Sequence, residues 1–66
     1  MVNVWDYVNA KKLKITDIDG KEFIGDLIAV MDTEENGGAE DDIAIRVDDV
    51  TIIAFFQSEI ENIEVI

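Results

Sequence analysis

Sixteen carboxylates face five basic side chains in this 66-residue chain, and neither histidine nor cysteine accompanies them. Carboxylates can act as acid–base pairs or as oxygen ligands for a hard cation. The densest group is Asp32, Glu34, Glu35, Glu40, Asp41 and Asp42. Its spacing does not follow the EF-hand order and Gly37-Gly38 interrupts it, so a solvated acidic loop is expected, with no metal. Without His or Cys the usual nucleophile–base constellations cannot be assembled, and no motif supports a dyad of Ser58 with a lysine. No catalytic residue and no cofactor is expected. The residues point to a binding or assembly module rather than an enzyme.

The net charge of −11 bears on partners. Nucleic-acid binding draws its affinity from Lys and Arg that displace counterions, and anionic membrane surfaces attract the same residues. A sheath of carboxylates repels both. Basic proteins, cations and further copies of the chain remain as partners. The first residues lack a basic segment followed by a long apolar run, and no apolar stretch approaches the ~20 residues of a membrane span. A cytoplasmic protein is the expectation. An apolar fraction of 48% is too high for a disordered acidic tail. The chain therefore holds one folded domain, residues 1–66, small enough that association would add useful buried surface.

The elements that must position these groups follow from period and turn chemistry. Residues 3–10 read as a short helix with Asn3 as N-cap and Asp6 in its first turn. Val4, Trp5 and Val8 form its apolar stripe, Tyr7 flanks it, and Trp5 is the expected anchor over an open barrel end. Residues 12–18 alternate, with Leu13 and Ile15 inward and Lys12, Lys14 and Thr16 outward. Asp19-Gly20 then supplies a hairpin turn. A long strand follows from Lys21 to Asp32, and Gly25 within it marks a bend that lets one strand serve two faces. Residues 33–42 read as loop. Ile43, Ile45 and Val47 share one face of the next strand, and Asp48-Asp49 offers a tight turn. Residues 50–56 are apolar on both faces, as in a strand covered on both sides. After the break Gln57-Ser58-Glu59, residues 60–66 form the last strand. One helix and five short strands indicate a mainly β, closed or nearly closed barrel.

This pattern resembles the Sm/LSm family, to which the bacterial Hfq branch belongs. The first Sm motif is matched by Gly20-x-x-Phe23-x-Gly25-x-Leu27 with Asp32 and Asn36, and the second in outline by Phe56, Ile60 and Ile63. The resemblance implies an N-terminal helix followed by a five-stranded, strongly bent antiparallel barrel of SH3-like shape. It also implies a nucleotide site near Asp32, Asn36, Gln57 and Ser58. For Asp32 and Asn36 the alternative is turn chemistry, because both side chains bond nearby backbone N–H groups. The family's base-stacking residue is replaced among Thr33, Glu34 and Glu35. Its Arg-Gly clamp is replaced by Gln57-Ser58, and Asp17 stands where an apolar residue is usual. Stacking is worth about 1–3 kcal/mol per base, so these changes imply RNA binding weakened or lost.

In the family, the fourth strand of one subunit pairs with the fifth of the next to close rings. The candidate interface is accordingly Ile52, Ile53, Phe55, Phe56, Ile60, Ile63, Val65 and Ile66. The alternative is that the chain's own interior buries them. The leading expectation is a self-associating or protein-binding Sm-like module, as a homo-oligomeric ring or dimer. RNA binding through Asp32 and Asn36 is the first alternative. An acidic adaptor that occupies the cationic groove of a nucleic-acid enzyme is the second.

Overall fold

The computed structural model describes residues 2–66. A 3-10 turn at Val4–Tyr7 leads into five antiparallel strands: β1 (Lys12–Asp17), β2 (Glu22–Met31), β3 (Asp42–Asp48), β4 (Thr51–Phe56) and β5 (Ile60–Val65). One helical turn, α1 (Thr33–Asn36), lies between β2 and β3, and a 3-10 turn at Gln57–Glu59 joins β4 to β5. The strands form a single sheet in the order β4-β3-β2-β1-β5.

Alternation sets the core. Leu13 and Ile15 of β1 and Ile43 and Ile45 of β3 are fully buried, with Val4, Phe55, Ile60 and Ile63 packed among them. Phe23 and Phe55 meet with ring centroids 5.3 Å apart and planes tilted by 57°. A flat sheet with its side chains is about 10 Å thick. The smallest extent of this molecule is 21 Å, so the sheet is rolled around that core.

Gly25 makes the roll possible. Strand β2 pairs with β1 from Glu22 to Asp26 and with β3 from Asp26 to Met31, so it changes partners at this point. A Cβ at Gly25 would lie 2.3 Å from the Arg46 carbonyl oxygen, because β3 crosses directly over it. The hairpin before it is a three-residue loop. Asp17 N–H donates to the Lys21 carbonyl, Gly20 N–H donates to the Asp17 carbonyl, and Gly20 has φ +85. That geometry matches a turn followed by a left-handed glycine. Asp17 belongs to it: its Oδ1 accepts from Asp19 N–H and Lys21 N–H, each at 2.9 Å.

The roll does not close into a barrel by hydrogen bonds. Four antiparallel steps separate β4 from β5 across the sheet, so the two edges run in the same sense. Zipping them together would require a parallel pair, and parallel neighbours need a crossover of about a dozen residues or more. The link Gln57–Glu59 has three. Both edges therefore stay open.

Other elements also depart from the pattern-based expectation. The helix expected over residues 3–10 is a single 3-10 turn, though Asn3 caps it as expected through Trp5 N–H. In a 3-10 turn residues three apart share a face, so Val4 is fully buried and Tyr7 packs beside it against the core. Trp5 and Val8 are instead 38% and 45% exposed. The acidic segment is not all loop: Asp32 and Glu35 form a capping box around α1, and Gly37 ends it at φ +70. Strand β4 is covered on one face only, leaving Ile52, Ala54 and Phe56 exposed.

Candidate functional site

The segments carrying the four candidate nucleotide residues meet at one end of the sheet, and each residue bonds other groups of the chain. Asp32 Oδ1 accepts from Glu35 N–H at 2.9 Å. Asn36 donates through Nδ2 to the Glu40 carbonyl at 2.9 Å and accepts from Gly38 N–H at 2.6 Å. Gln57 Oε1 accepts from Val4 N–H at 3.0 Å, which ties the N-terminal turn to the β4–β5 link. Ser58 donates twice to the Glu40 carboxylate, from its backbone N–H at 2.9 Å and from Oγ at 2.7 Å. Beside this clasp, the Trp5 indole donates to Asp41 Oδ2 at 2.8 Å.

Glu40 and Asp41 are the residues that sequence reading missed here. They belong to an acidic run, and nothing local sets them apart. Their partners lie 18 and 36 residues away, respectively. Only the tertiary structure pairs them. A carboxylate held by an N–H and an O–H occupies the donors that a phosphate would use. Asp42, next in line, is 94% buried in the sense that only 6% of it is exposed, and its Oδ1 has no hydrogen-bond partner among the described residues. No group of three or more acidic side chains converges closely enough to hold a metal ion among the described residues.

The eight candidate interface residues divide. Phe55, Ile60 and Ile63 belong to the chain's own core, because alternation turns them inward. Ile53 is half-buried against that core. Ile52, Phe56, Val65 and Ile66 are exposed, Ile52 by 52% and Phe56 by 39%. They lie at the two open edges of the sheet.

The strand cations Lys12, Lys14 and Arg46 sit on the outer face of the roll. Lys12, Asp26 and Arg46 are directly opposite one another across β1, β2 and β3. They line an open cleft of about 280 Å³ together with Ile24, Gly25, Val47, Asp48 and Asp49. Lys14 and Glu22 form an ion pair at 3.1 Å. The hydrogen bond to Glu22, then the charges of Glu22 and Glu64, raise the Lys14 pKa above its ordinary 10.5. Asp48 caps the β3–β4 turn. Its Oδ1 accepts from Val50 N–H at 3.0 Å, and that bond, followed by one from the Thr51 side chain, lowers its pKa below the ordinary 3.8.

No protein-family model, curated protein or solved structure matches the chain. The geometry therefore has to speak for itself. What it presents is a rolled five-stranded sheet with two open edges, a sealed polar clasp at one end, and an acidic surface.

Proposed function

We propose that this protein is a non-enzymatic, Sm-like assembly module that associates with copies of itself or with a protein partner through its open strand edges. One observation carries the reading. Strand β4 is an edge strand without a single charged residue, and it exposes Ile52, Ala54 and Phe56. Edges of this kind are normally shielded by charge, proline or bulges because they pair readily with other chains. The Sm-like part draws support from the strand order, the helical turn before β1, the change of partners at Gly25 and the 3-10 link between β4 and β5. The meeting of the Asp32–Asn36 segment with Gln57-Ser58 is also consistent with that family's arrangement.

RNA binding is weakened or lost on this reading, since Glu40 fills the Ser58 donors and makes no salt bridge among the described residues. Sedimentation equilibrium tests the association, and a strict monomer at high concentration would sink it. Fluorescence anisotropy with short uridine-rich RNA at low salt tests the loss, and tight binding would reverse it. A second reading, an acidic adaptor for a cationic groove, is favoured by the scarcity of ion pairs: Lys14–Glu22 is the one salt bridge among the described residues. Apart from Glu22, its carboxylates carry their charge without an ion pair among the described residues. A pulldown that recovers no basic protein would count against it.

A further inference from the structure

We propose that two copies of this chain join through β4, strand against strand and antiparallel, about a twofold axis at Ala54. The proposal rests on the self-association reading above and adds the partner, the edge and the register.

The residues of β4 are self-complementary. With Ala54 facing the partner's Ala54, the sequence Ile52-Ile53-Ala54-Phe55-Phe56 sets Ile52 against the partner's Phe56 and Ile53 against the partner's Phe55. On the exposed face the β-branched Ile52 thus meets the aromatic Phe56, a favourable cross-strand pairing, while Ile53 and Phe55 stay turned to their own core. The small Ala54 side chains meet at the axis.

The backbone agrees with this register. Asp42 is paired with Phe56, Ala44 with Ala54 and Arg46 with Ile52. Just beyond β4, Gln57 N–H donates to the Asp41 carbonyl at 3.2 Å. Hydrogen-bonding direction alternates along a strand, so Phe55 and Ile53 also bond to β3. The N–H and C=O groups of Ile52 and Ala54 then point out from the sheet, as does the Phe56 carbonyl. The Phe56 N–H is covered by Glu59 Oε1 at 2.9 Å. Glu59 closes one end of the edge and leaves its centre open. Ala54 facing its twin forms a doubly hydrogen-bonded pair, flanked by Ile52 N–H donating to the partner's Phe56 carbonyl.

Charge selects this edge over the other. The opposite edge, β5, carries Glu61 and Glu64, both exposed. Each copy brings a net −11, and a β5-to-β5 approach would set these carboxylates against like charge. Strand β4 itself carries no carboxylate, and the two Glu59 side chains lie at the ends of the paired stretch rather than at its centre. Twofold dimers are the commonest closed assembly, and a self-complementary strand needs no other symmetry.

The test uses the full chain in sedimentation equilibrium from roughly 10 µM to 1 mM, the span suited to an interface smaller than about 1,600 Å². A monomer–dimer equilibrium is expected. Ala54→Lys places two ammonium groups face to face at the axis and should weaken dimerisation at least about tenfold, while Val65→Lys on β5 leaves it unchanged. Far-UV circular dichroism checks that both variants fold. Should Ala54→Lys fail to fold, the cysteine-free chain allows a second probe. Ala54→Cys should cross-link to itself with a short bismaleimide at least about tenfold faster than Val65→Cys, because facing Cα atoms lie about 5.5 Å apart. Monomers throughout would overturn both this proposal and the self-association reading. Association that survives Ala54→Lys but is lost in Val65→Lys, or rings of more than two copies, would overturn the β4 register alone.

Discussion

Replacing Gly25 with alanine tests the central feature of the fold with a single methyl group. Its Cβ would lie 2.3 Å from the Arg46 carbonyl oxygen and 2.8 Å from the Arg46 carbonyl carbon. Comfortable carbon contacts begin near ~3.5 Å, so β3 would have to retreat by about 1 Å. Both atoms are backbone, and no side chain can swing aside. The retreat pulls at the pairs Asp26–Arg46 and Leu27–Ile45, the first contacts β2 makes after leaving β1. Overpacking of about 1–3 kcal/mol, with one weakened ladder bond of about 1 kcal/mol, gives an expected loss near 3 kcal/mol. A domain of this size is stable by roughly 3–10 kcal/mol in total, so the loss is a large fraction. At about 4–8 °C per kcal/mol, Tm should fall by roughly 12–24 °C. Urea unfolding followed by Trp5 fluorescence and far-UV circular dichroism measures it. Gly38→Ala is the control. Its nearest neighbours are the ends of the Asn36 and Phe56 side chains, which can move, and about 1 kcal/mol or less is expected. A Gly25→Ala variant within about 0.5 kcal/mol of the parent, at an unchanged m-value, would refute the reasoning.

Three further predictions follow from the same structure. Leu13→Ala empties a fully buried site and should cost about 2–5 kcal/mol by denaturant midpoint. In a double-mutant cycle, Glu40→Gln and Ser58→Ala should couple by about 1 kcal/mol, because each removes part of one shared contact; additive effects would dissolve the clasp. Asp48 titrates below 3.8 in the folded chain, so the stability it contributes is complete above that pH and is lost as pH falls through its lowered value. Asp48→Asn keeps the oxygen acceptor but removes the proton uptake, and should flatten the stability profile in that acid window alone.

Much of the fold is legible in residue types. Leu13 and Ile15 alternate with lysines, Ile43 and Ile45 sit two apart, and both pairs form the core, because the two-residue period decides which face is wet. Gly20 at its turn and Gly25 inside a long strand are equally readable, the first from turn stereochemistry and the second as a glycine within a strand about twice the usual length. The capping box of Asp32 and Glu35 was also present in the letters, yet the glycines beside it made the segment read as loop.

The candidate site was legible only in outline. Asp32, Asn36, Gln57 and Ser58 do lie in segments that come together, but their neighbours Glu40 and Asp41 decide what those groups can do. One acidic residue in a run looks like the next until a partner 18 or 36 residues away picks it out. The eight apolar interface candidates show the same limit. Period alone could place Phe55 and Ile63 inward, but which strands end up as edges depends on strand order.

By itself, then, the sequence determined the local rules of this protein: strands with a wet and a dry face, turns at glycine and aspartate, and a surface too acidic for bare phosphate. Those are properties of neighbouring residues, governed by backbone stereochemistry and net charge. The tertiary structure decided that β2 changes partners beneath Arg46, that Val4 rather than Trp5 enters the core, and that Glu40 seals Ser58. It also decided that β4 and β5 run in the same sense and so leave the roll unzipped. Each of those outcomes depends on which distant segments the sheet order brings side by side, and no local pattern carries that information.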